Sequence, residues 1–163
     1  MFETVYTLWS YWDGPREGVA AYHGHPHVFV SEWNEEADDF GDAFLLKPIS
    51  DETFRLVMED WAIFRRWEAA VSQGLTTWDT HPASSEDRIR TEELKRVLQG
   101  PLTVDPARAK QDYPIRTWPV ERSLAVDSVG VVRSLAEFRN RPDPVLWGGY
   151  PLSSLEVRWS AVG

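Results

Sequence analysis

Three of the chain's four histidines, His23, His25 and His27, lie within five residues in the sequence HGHPH. In a continuous strand alternate side chains share one face, and three imidazoles on one face can bind Zn²⁺. Gly24 and Pro26 favour a chain reversal instead, because glycine reaches positive φ and proline interrupts a strand ladder. We therefore predict a turn with His23 and His25 exposed, followed by a strand that begins at His27. The three histidines stay candidate metal ligands, but no metal and no cofactor is expected.

The fourth histidine, His81, gives a catalytic alternative. An acid–base or metal-assisted enzyme would need His27 and His81 in one pocket, with a carboxylate such as Asp13 or Asp79 within hydrogen-bond reach. The sequence has no Gly-x-Ser-x-Gly elbow, no phosphate-binding glycine loop, no H-E-x-x-H helix and no EF-hand loop. The enzyme is therefore the alternative hypothesis, and a non-enzymatic protein is the leading interpretation.

Two segments carry the residue types of a binding surface. In the sequence YWDGPR, Trp12, Asp13 and Arg16 combine an aromatic ring with two opposite charges, and tryptophan and arginine are enriched at binding hot spots. Residues 32–60 contain ten acids and two bases, so this segment carries −8 of the chain's net charge of −9. The candidate contacts in it, which are also hard oxygen ligands for a divalent ion, are Asp38, Asp39 and Asp42. Because the acids repel phosphate, we expect a basic protein partner and no nucleic acid.

Length and composition indicate one soluble domain spanning residues 1–163. The chain is 42% hydrophobic and contains nine tryptophans, enough to build a core. The lack of cysteine is typical of a reducing compartment, and the first residues lack a signal-peptide pattern. No apolar run approaches the roughly 20 residues of a membrane span, so a cytoplasmic protein without a membrane partner is expected. The sequence does not indicate an oligomeric state.

The spacing of apolar residues and turn formers predicts an α+β fold. Residues 4–33 alternate as a three-stranded antiparallel meander, a polar loop follows, and FLLKPI is a further short strand. A first helix is predicted from the Ser50 cap to Gln73, with Gly74 ending it. A second helix is predicted over 85–99, capped by Ser84 or Ser85 and stopped at Gly100-Pro101.

The remaining chain has weaker patterns. YPIRTWPV is a candidate strand, and the segments VVRSLAEFRN and LEVRWSAV predict a C-terminal hairpin. Residues 101–133 have little periodicity and are interpreted as an irregular insertion. The predicted architecture is thus an antiparallel sheet, made of the meander plus the C-terminal hairpin, packed against a helical pair.

The motifs YWDGPREGVAAYHGHPHVF, DDFGDAFLLKPIS, EDWAIFRRWEAA and DTHP resemble a family of uncharacterised bacterial proteins. That family opens Y-x-x-W-D-G-P-R, continues G-x-P-H-x-F and carries a tryptophan-rich E-D-W helix. The similarity spans about residues 6–99 together with the terminal EFR and LEVRW motifs. His27 and His81 match its pattern, whereas positions 23 and 25 are not histidine in it. The resemblance implies a bacterial cytoplasmic protein, carries no assigned activity and does not support a three-histidine site. Separately, an acidic domain of this size suits docking on a basic partner, for example as an immunity or regulatory protein.

Overall fold

The computed structural model describes residues 3–11, 15–82, 84–112, 116–117, 124–126, 132–134, 155–157 and 159–161. The chain forms two compact units. The first comprises Met1–Pro48 with Val104–Gly163, and the second comprises Ile49–Thr103. The single-domain organisation predicted from length stays a prediction.

The first unit is built on an antiparallel meander of four long strands. These are β1 (Glu3–Tyr11), β2 (Pro15–Tyr22), β3 (His25–Asn34) and β4 (Asp39–Pro48). Adjacent strands are neighbours in the sheet, and β2 pairs with β3 in an unbroken register from Glu17 opposite Val30 to Tyr22 opposite His25. The α+β class and the antiparallel sheet are therefore confirmed.

The fourth strand is longer than predicted. The sequence suggested a polar loop up to about residue 43, but the structure places Asp39–Ala43 in β4. Pairing with β3 explains the extra length of β4. Trp33 lies opposite Phe40 and Asn34 opposite Asp39, beyond a register shift in β3. An aromatic cross-strand pair stabilises strand pairing that the acidic side chains would not favour by themselves.

Shorter strands extend the sheet on both sides. They are β5 (Arg116–Thr117), β6 (Leu124–Val126), β7 (Val132–Ser134), β8 (Leu155–Val157) and β9 (Ser160–Ala161). The strand order among the described residues is β7-β6-β8-β1-β2-β3-β4-β5-β9. The prediction of a C-terminal hairpin is wrong. Its two segments contain β7 and β8, and these strands do not pair with each other because β6 lies between them. The candidate strand YPIRTWPV contains β5.

The core of the first unit lies on the central strands. Val19, Val28, Phe29 and Phe44 are fully buried. The Phe29 ring centroid lies 6.0 Å from that of Phe44 and 6.0 Å from that of Trp159. The Trp159 indole also donates a hydrogen bond of 2.6 Å to the carbonyl of Ala21, which fixes the end of the chain to β2.

The second unit is a pair of helices, α1 (Asp51–Ser72) and α2 (Ser85–Leu102). The Ser50 hydroxyl accepts the N–H of Thr53, and Gly74 adopts φ 71° after the last turn, so the predicted bounds of the first helix are confirmed. Two pairs of ionic hydrogen bonds join the helices, Arg66 to Asp87 and Arg90 to Glu59, with shortest N–O distances of 2.6 Å in each.

The second helix starts as predicted but ends later. The Ser84 hydroxyl caps it by accepting the N–H of Asp87 at 3.1 Å. It continues through Gly100 and Pro101, where the stop was predicted, because Thr103 N–H still bonds the carbonyl of Gln99. Proline is tolerated there since it removes only one bond of the final turn.

Residues 101–133 are described in part. A short helix, α3 (Pro106–Asp112), contacts β4 within the first unit, and Ala109 is buried. The segment also contributes β5 and β6 to the sheet. Its interpretation as an insertion stays a prediction. None of the helices in the described ranges is long and apolar enough to cross a membrane.

Candidate binding surface

The HGHPH segment is a tight turn between β2 and β3. His23 and Gly24 have φ of 51° and 77°, a pair of positive values that a two-residue hairpin turn requires. The Gly24 N–H is bound by the Glu3 carboxylate at 2.8 Å. The turn is thus centred on His23 and Gly24. The prediction that the strand begins at His27 is wrong, because β3 begins at His25 and includes Pro26.

The three histidines of this turn have different surroundings. His23 and His25 are exposed, whereas His27 is only 7% exposed. The His27 Nδ1 lies 2.9 Å from the carbonyl of His25, so it carries the proton and donates. Burial lowers the pKa of His27, which favours the neutral ring. Among the described residues, no group of three or more His, Asp or Glu side chains is placed to hold a metal ion.

Of the predicted contact residues Trp12, Asp13 and Arg16, the structure describes Arg16. Trp12 and Asp13 lie outside the described residues. Arg16 is 5% exposed, so its place among the surface contacts is corrected. Its guanidinium lies over the ring of Phe40, 5.1 Å from the centroid, and donates to the carbonyl of Gly41 at 3.4 Å. Arg16 therefore supports β4 from within.

The turn between β3 and β4 is an acidic loop held by its own hydrogen bonds. We call residues Glu32–Phe40 the hairpin tip. The Asn34 side chain accepts the N–H groups of Glu36 and Ala37 at 3.0 and 3.2 Å, and Asp38 reverses the chain at φ 50°. Asp39 bonds the N–H of Phe40 at 2.7 Å. These bonds fix the loop, because side-chain acceptors satisfy its backbone donors.

An aromatic side chain stands at the centre of the hairpin tip. Trp33 is 49% exposed, and its ring packs edge to face against Phe40 with centroids 5.0 Å apart. Because Arg16 covers another part of Phe40, the three side chains form a series from the buried guanidinium to the exposed indole. Trp33 was not among the sequence-predicted contacts. The alternation of residues along β3 puts Trp33 on the face of the buried Phe29 and so predicts burial, but a register shift between Ser31 and Trp33 interrupts that alternation.

Trp33 shares the hairpin tip with several carboxylates. The hairpin tip has five acids and no lysine, arginine or histidine. Asp38 and Asp39 are exposed, as predicted for contact residues, and Glu35 and Glu36 are exposed beside them. Asp42 lies on β4, but its side chain is outside the described part of the chain. The structure thus joins an exposed indole to a cluster of negative charge.

His81 lies in the second unit, against aromatic side chains of α1. Its ring centroid is 5.0 Å from that of Trp67 and 5.9 Å from that of Phe64. The Asp79 carboxylate accepts the hydroxyl of Thr77, and the described residues show no hydrogen bond between Asp79 and His81. The nearby carboxylate is that of Asp60. Its charge raises the pKa of His81, but burial lowers that pKa by more. Since His27 belongs to the other unit, its convergence with His81 stays a prediction, as does the enzyme hypothesis.

The electrostatic pairing of Asp60 with His81 gives a direct test. In Asp60→Asn the pKa of His81 should fall further below 6.5, because the neighbouring negative charge that favours the imidazolium is removed. An NMR pH titration of the His81 ring protons measures this. Asp79→Asn is the matched control and should leave the His81 pKa unchanged. A fall in the control but not in Asp60→Asn would show that Asp79 is the partner.

Glu68 on α1 is a buried acid to which sequence analysis gave no role. Glu68 is 0% exposed, and one of its carboxylate oxygens accepts a hydrogen bond from Arg65 at 3.2 Å. The other oxygen has no hydrogen-bond partner among the described residues. Burial raises the pKa of Glu68 to about 7, and the charge of Arg65 offsets this only in part. The sequence does indicate that Glu68 is buried, because it lies seven residues after Trp61 on the apolar stripe of the helix.

Comparisons with protein-family models, with curated proteins and with solved structures find no match to this chain. The resemblance to uncharacterised bacterial proteins therefore stays a prediction. The class of protein is an α+β protein with an acidic, tryptophan-centred hairpin tip, and its function is argued from that surface.

Proposed function

We propose that the protein is a non-enzymatic binding protein whose hairpin tip docks on a basic segment of a partner protein. The observation that supports this most is the half-exposed indole of Trp33 among five carboxylates. Water alone can solvate an exposed cluster of acids. An exposed aromatic ring in the same cluster adds a face that can bind a cation.

The chemistry of the hairpin tip favours arginine in the partner. A guanidinium can stack on the Trp33 indole while its N–H groups donate to a carboxylate beside it. The buried contact of Arg16 with Phe40 shows the same pairing of guanidinium and aromatic ring inside the protein. The surrounding acids would accelerate encounter with a basic partner and repel nucleic acid.

The fixed loop also supports binding. Because the Asn34 and Asp39 side chains already hold the loop backbone, docking need not order it. A bacterial cytoplasmic setting belongs to this proposal, and the absence of cysteine is consistent with it. A role as an immunity or regulatory protein is the specific form of this proposal that the acidic surface suggests.

Trp33→Ala should weaken the binding of an arginine-rich peptide about twofold to fivefold, because an exposed cation–π contact contributes about 0.5–1 kcal/mol. Fluorescence anisotropy with a labelled arginine peptide and a lysine peptide of equal length measures it. The wild type should prefer the arginine peptide, and the variant should lose that preference.

Ile89→Ala is the control, since Ile89 is an apolar side chain that is 69% exposed and lies in the other unit. It should bind the arginine peptide like the wild type. Higher salt should weaken all binding, because exposed charges are screened. Equal affinity of Trp33→Ala and the wild type for both peptides would contradict the proposal.

A further inference from the structure

The hairpin tip extends beyond the strand pairing that joins it to β2. Among the described residues, the ladder between β2 and β3 ends at Glu17 opposite Val30, before the tip begins. Within the tip, Trp33 and Phe40 lie opposite each other on β3 and β4. The orientation of the exposed indole therefore depends on side-chain contacts as well as on backbone pairing.

Arg16, the next residue along β2, reaches the hairpin tip through its side chain. It is 5% exposed, and its guanidinium lies over the ring of Phe40, 5.1 Å from the centroid. The same guanidinium donates to the carbonyl of Gly41 at 3.4 Å. A cation is attracted by the negative face of an aromatic ring, and the planar guanidinium can keep this contact while its edge donates. Arg16 thus restrains both the Phe40 ring and the backbone that follows it.

Phe40 carries this restraint to the exposed indole. Its ring meets that of Trp33 edge to face, with centroids 5.0 Å apart and an interplanar angle of 86°. Edge-to-face packing is a preferred arrangement of two aromatic rings and depends on their relative orientation. A rotation of the Phe40 ring would break its contact with Arg16. The ring therefore keeps one orientation, and the indole packed against it is held as well.

We propose that Arg16 is a positioning residue of the hairpin tip, which acts through Phe40 to hold the Trp33 indole in the orientation that selects arginine over lysine in a bound partner. The inference rests on the function proposed above. A guanidinium stacks in parallel on an aromatic face, whereas an ammonium is a compact point charge that depends less on ring orientation. An indole that is already oriented also loses less entropy when a guanidinium stacks on it.

Arg16→Met tests this, because it removes the guanidinium and keeps an unbranched apolar side chain. In fluorescence anisotropy, the preference for an arginine peptide over a lysine peptide of equal length should fall from about twofold to fivefold to about one. The two peptides carry equal charge, so the loss of a cation from the protein affects both alike and cancels from this ratio.

Ser31→Ala is the matched control. The Ser31 hydroxyl donates to the same Gly41 carbonyl at 2.9 Å, and Ser31 is also 5% exposed. The variant should keep the preference for arginine. If it loses the preference as fully as Arg16→Met does, the Gly41 carbonyl and not the Phe40 ring transmits the effect, and the inference is wrong.

A double-mutant cycle separates positioning from a general loss of structure. If Arg16 acts through the indole, Arg16→Met should not change the arginine-to-lysine ratio further when it is combined with Trp33→Ala. A further change of the ratio in the double variant would show that Arg16 acts independently of Trp33, which contradicts the inference.

The free protein gives a readout that needs no partner. The indole N–H signal of Trp33, assigned by its loss in Trp33→Ala, should show a lower ¹⁵N heteronuclear NOE in Arg16→Met, because the ring moves more on the picosecond-to-nanosecond timescale. An unchanged NOE, or a retained preference for arginine, would overturn the inference. A wild type that binds both peptides equally would instead overturn the proposed function, even where the NOE falls as expected.

Phe40→Leu keeps the experiment decisive should Arg16→Met not fold, as judged by circular dichroism. It removes the ring between Arg16 and Trp33 while keeping an apolar side chain. The same loss of preference and the same fall in the Trp33 NOE are expected. If both stay as in the wild type, the Phe40 ring does not position the indole and the inference is wrong.

Discussion

Glu68→Gln should raise the free energy of unfolding at pH 8 by about 3 kcal/mol and leave it nearly unchanged at pH 4.5. Glu68 is fully buried, and its pKa is raised from 4.5 to about 7 in the folded protein. One pKa unit corresponds to about 1.4 kcal/mol, so the difference corresponds to about 3 kcal/mol. The amide removes the ionisation but keeps the size and an acceptor for Arg65.

The sign follows from proton binding. Between pH 4.5 and about 7 the folded protein holds a proton on Glu68 that the unfolded chain has lost. The stability from this protonated carboxyl is complete below pH 4.5 and is lost as the pH rises to about 7. Above that range the folded protein contains a buried carboxylate with one unpartnered oxygen, which is unfavourable.

Urea unfolding of wild type and Glu68→Gln across pH 4.5–8 measures the difference between them. Glu86→Gln, an exposed acid at the start of α2, is the control and should follow the pH dependence of the wild type. If the stabilities of the wild type and Glu68→Gln change in parallel with pH, Glu68 does not titrate in this range and the assignment is wrong.

Gly18→Ala should destabilise the first unit by about 3 kcal/mol, near the upper end of the range for overpacking. A Cβ at position 18 would lie 2.1 Å from the carbonyl oxygen of Thr7 and 3.0 Å from the ring of Phe29. The oxygen belongs to the backbone of β1, so the clash cannot be relieved by a rotamer change. Strands β1 and β2 would have to separate, at the expense of the bond from Val19 N–H to the Thr7 hydroxyl.

Thermal or urea unfolding followed by tryptophan fluorescence tests this. Gly41→Ala is the matched strand control, because a Cβ there has no neighbour closer than 3.8 Å. It should change the free energy of unfolding by less than about 1 kcal/mol. A Gly18→Ala variant as stable as the wild type would show that β1 and β2 are less closely spaced at this position.

Local chemistry explains what was predictable in the helical unit. The Ser50 cap, the acids of the first turn and the positive φ of Gly74 are interactions between residues close in sequence. Their outcome hardly depends on the rest of the chain, so the bounds of α1 were predicted well. The end of α2 was missed because Thr103 continues the hydrogen bonding beyond a proline that usually stops a helix.

The candidate sites were less predictable because distant partners define them. Arg16 has the residue type of a surface contact, yet the ring of Phe40, 24 residues later, covers it. His81 was paired with Asp79 by proximity in sequence, but the helix places Asp60 beside it and Thr77 takes the carboxylate of Asp79. Residue type and spacing cannot distinguish these partners.

The sequence by itself determined the α+β class, the meander, both long helices and the concentration of negative charge in residues 32–60. These depend on periodicity, capping and composition, which are local properties. Only the tertiary structure decided that Asp39–Ala43 pair with β3, that Trp33 is exposed among the acids, and that Glu68 is buried. Each of these depends on what lies opposite a residue across a strand or helix pair, and that contact is absent until the chain folds.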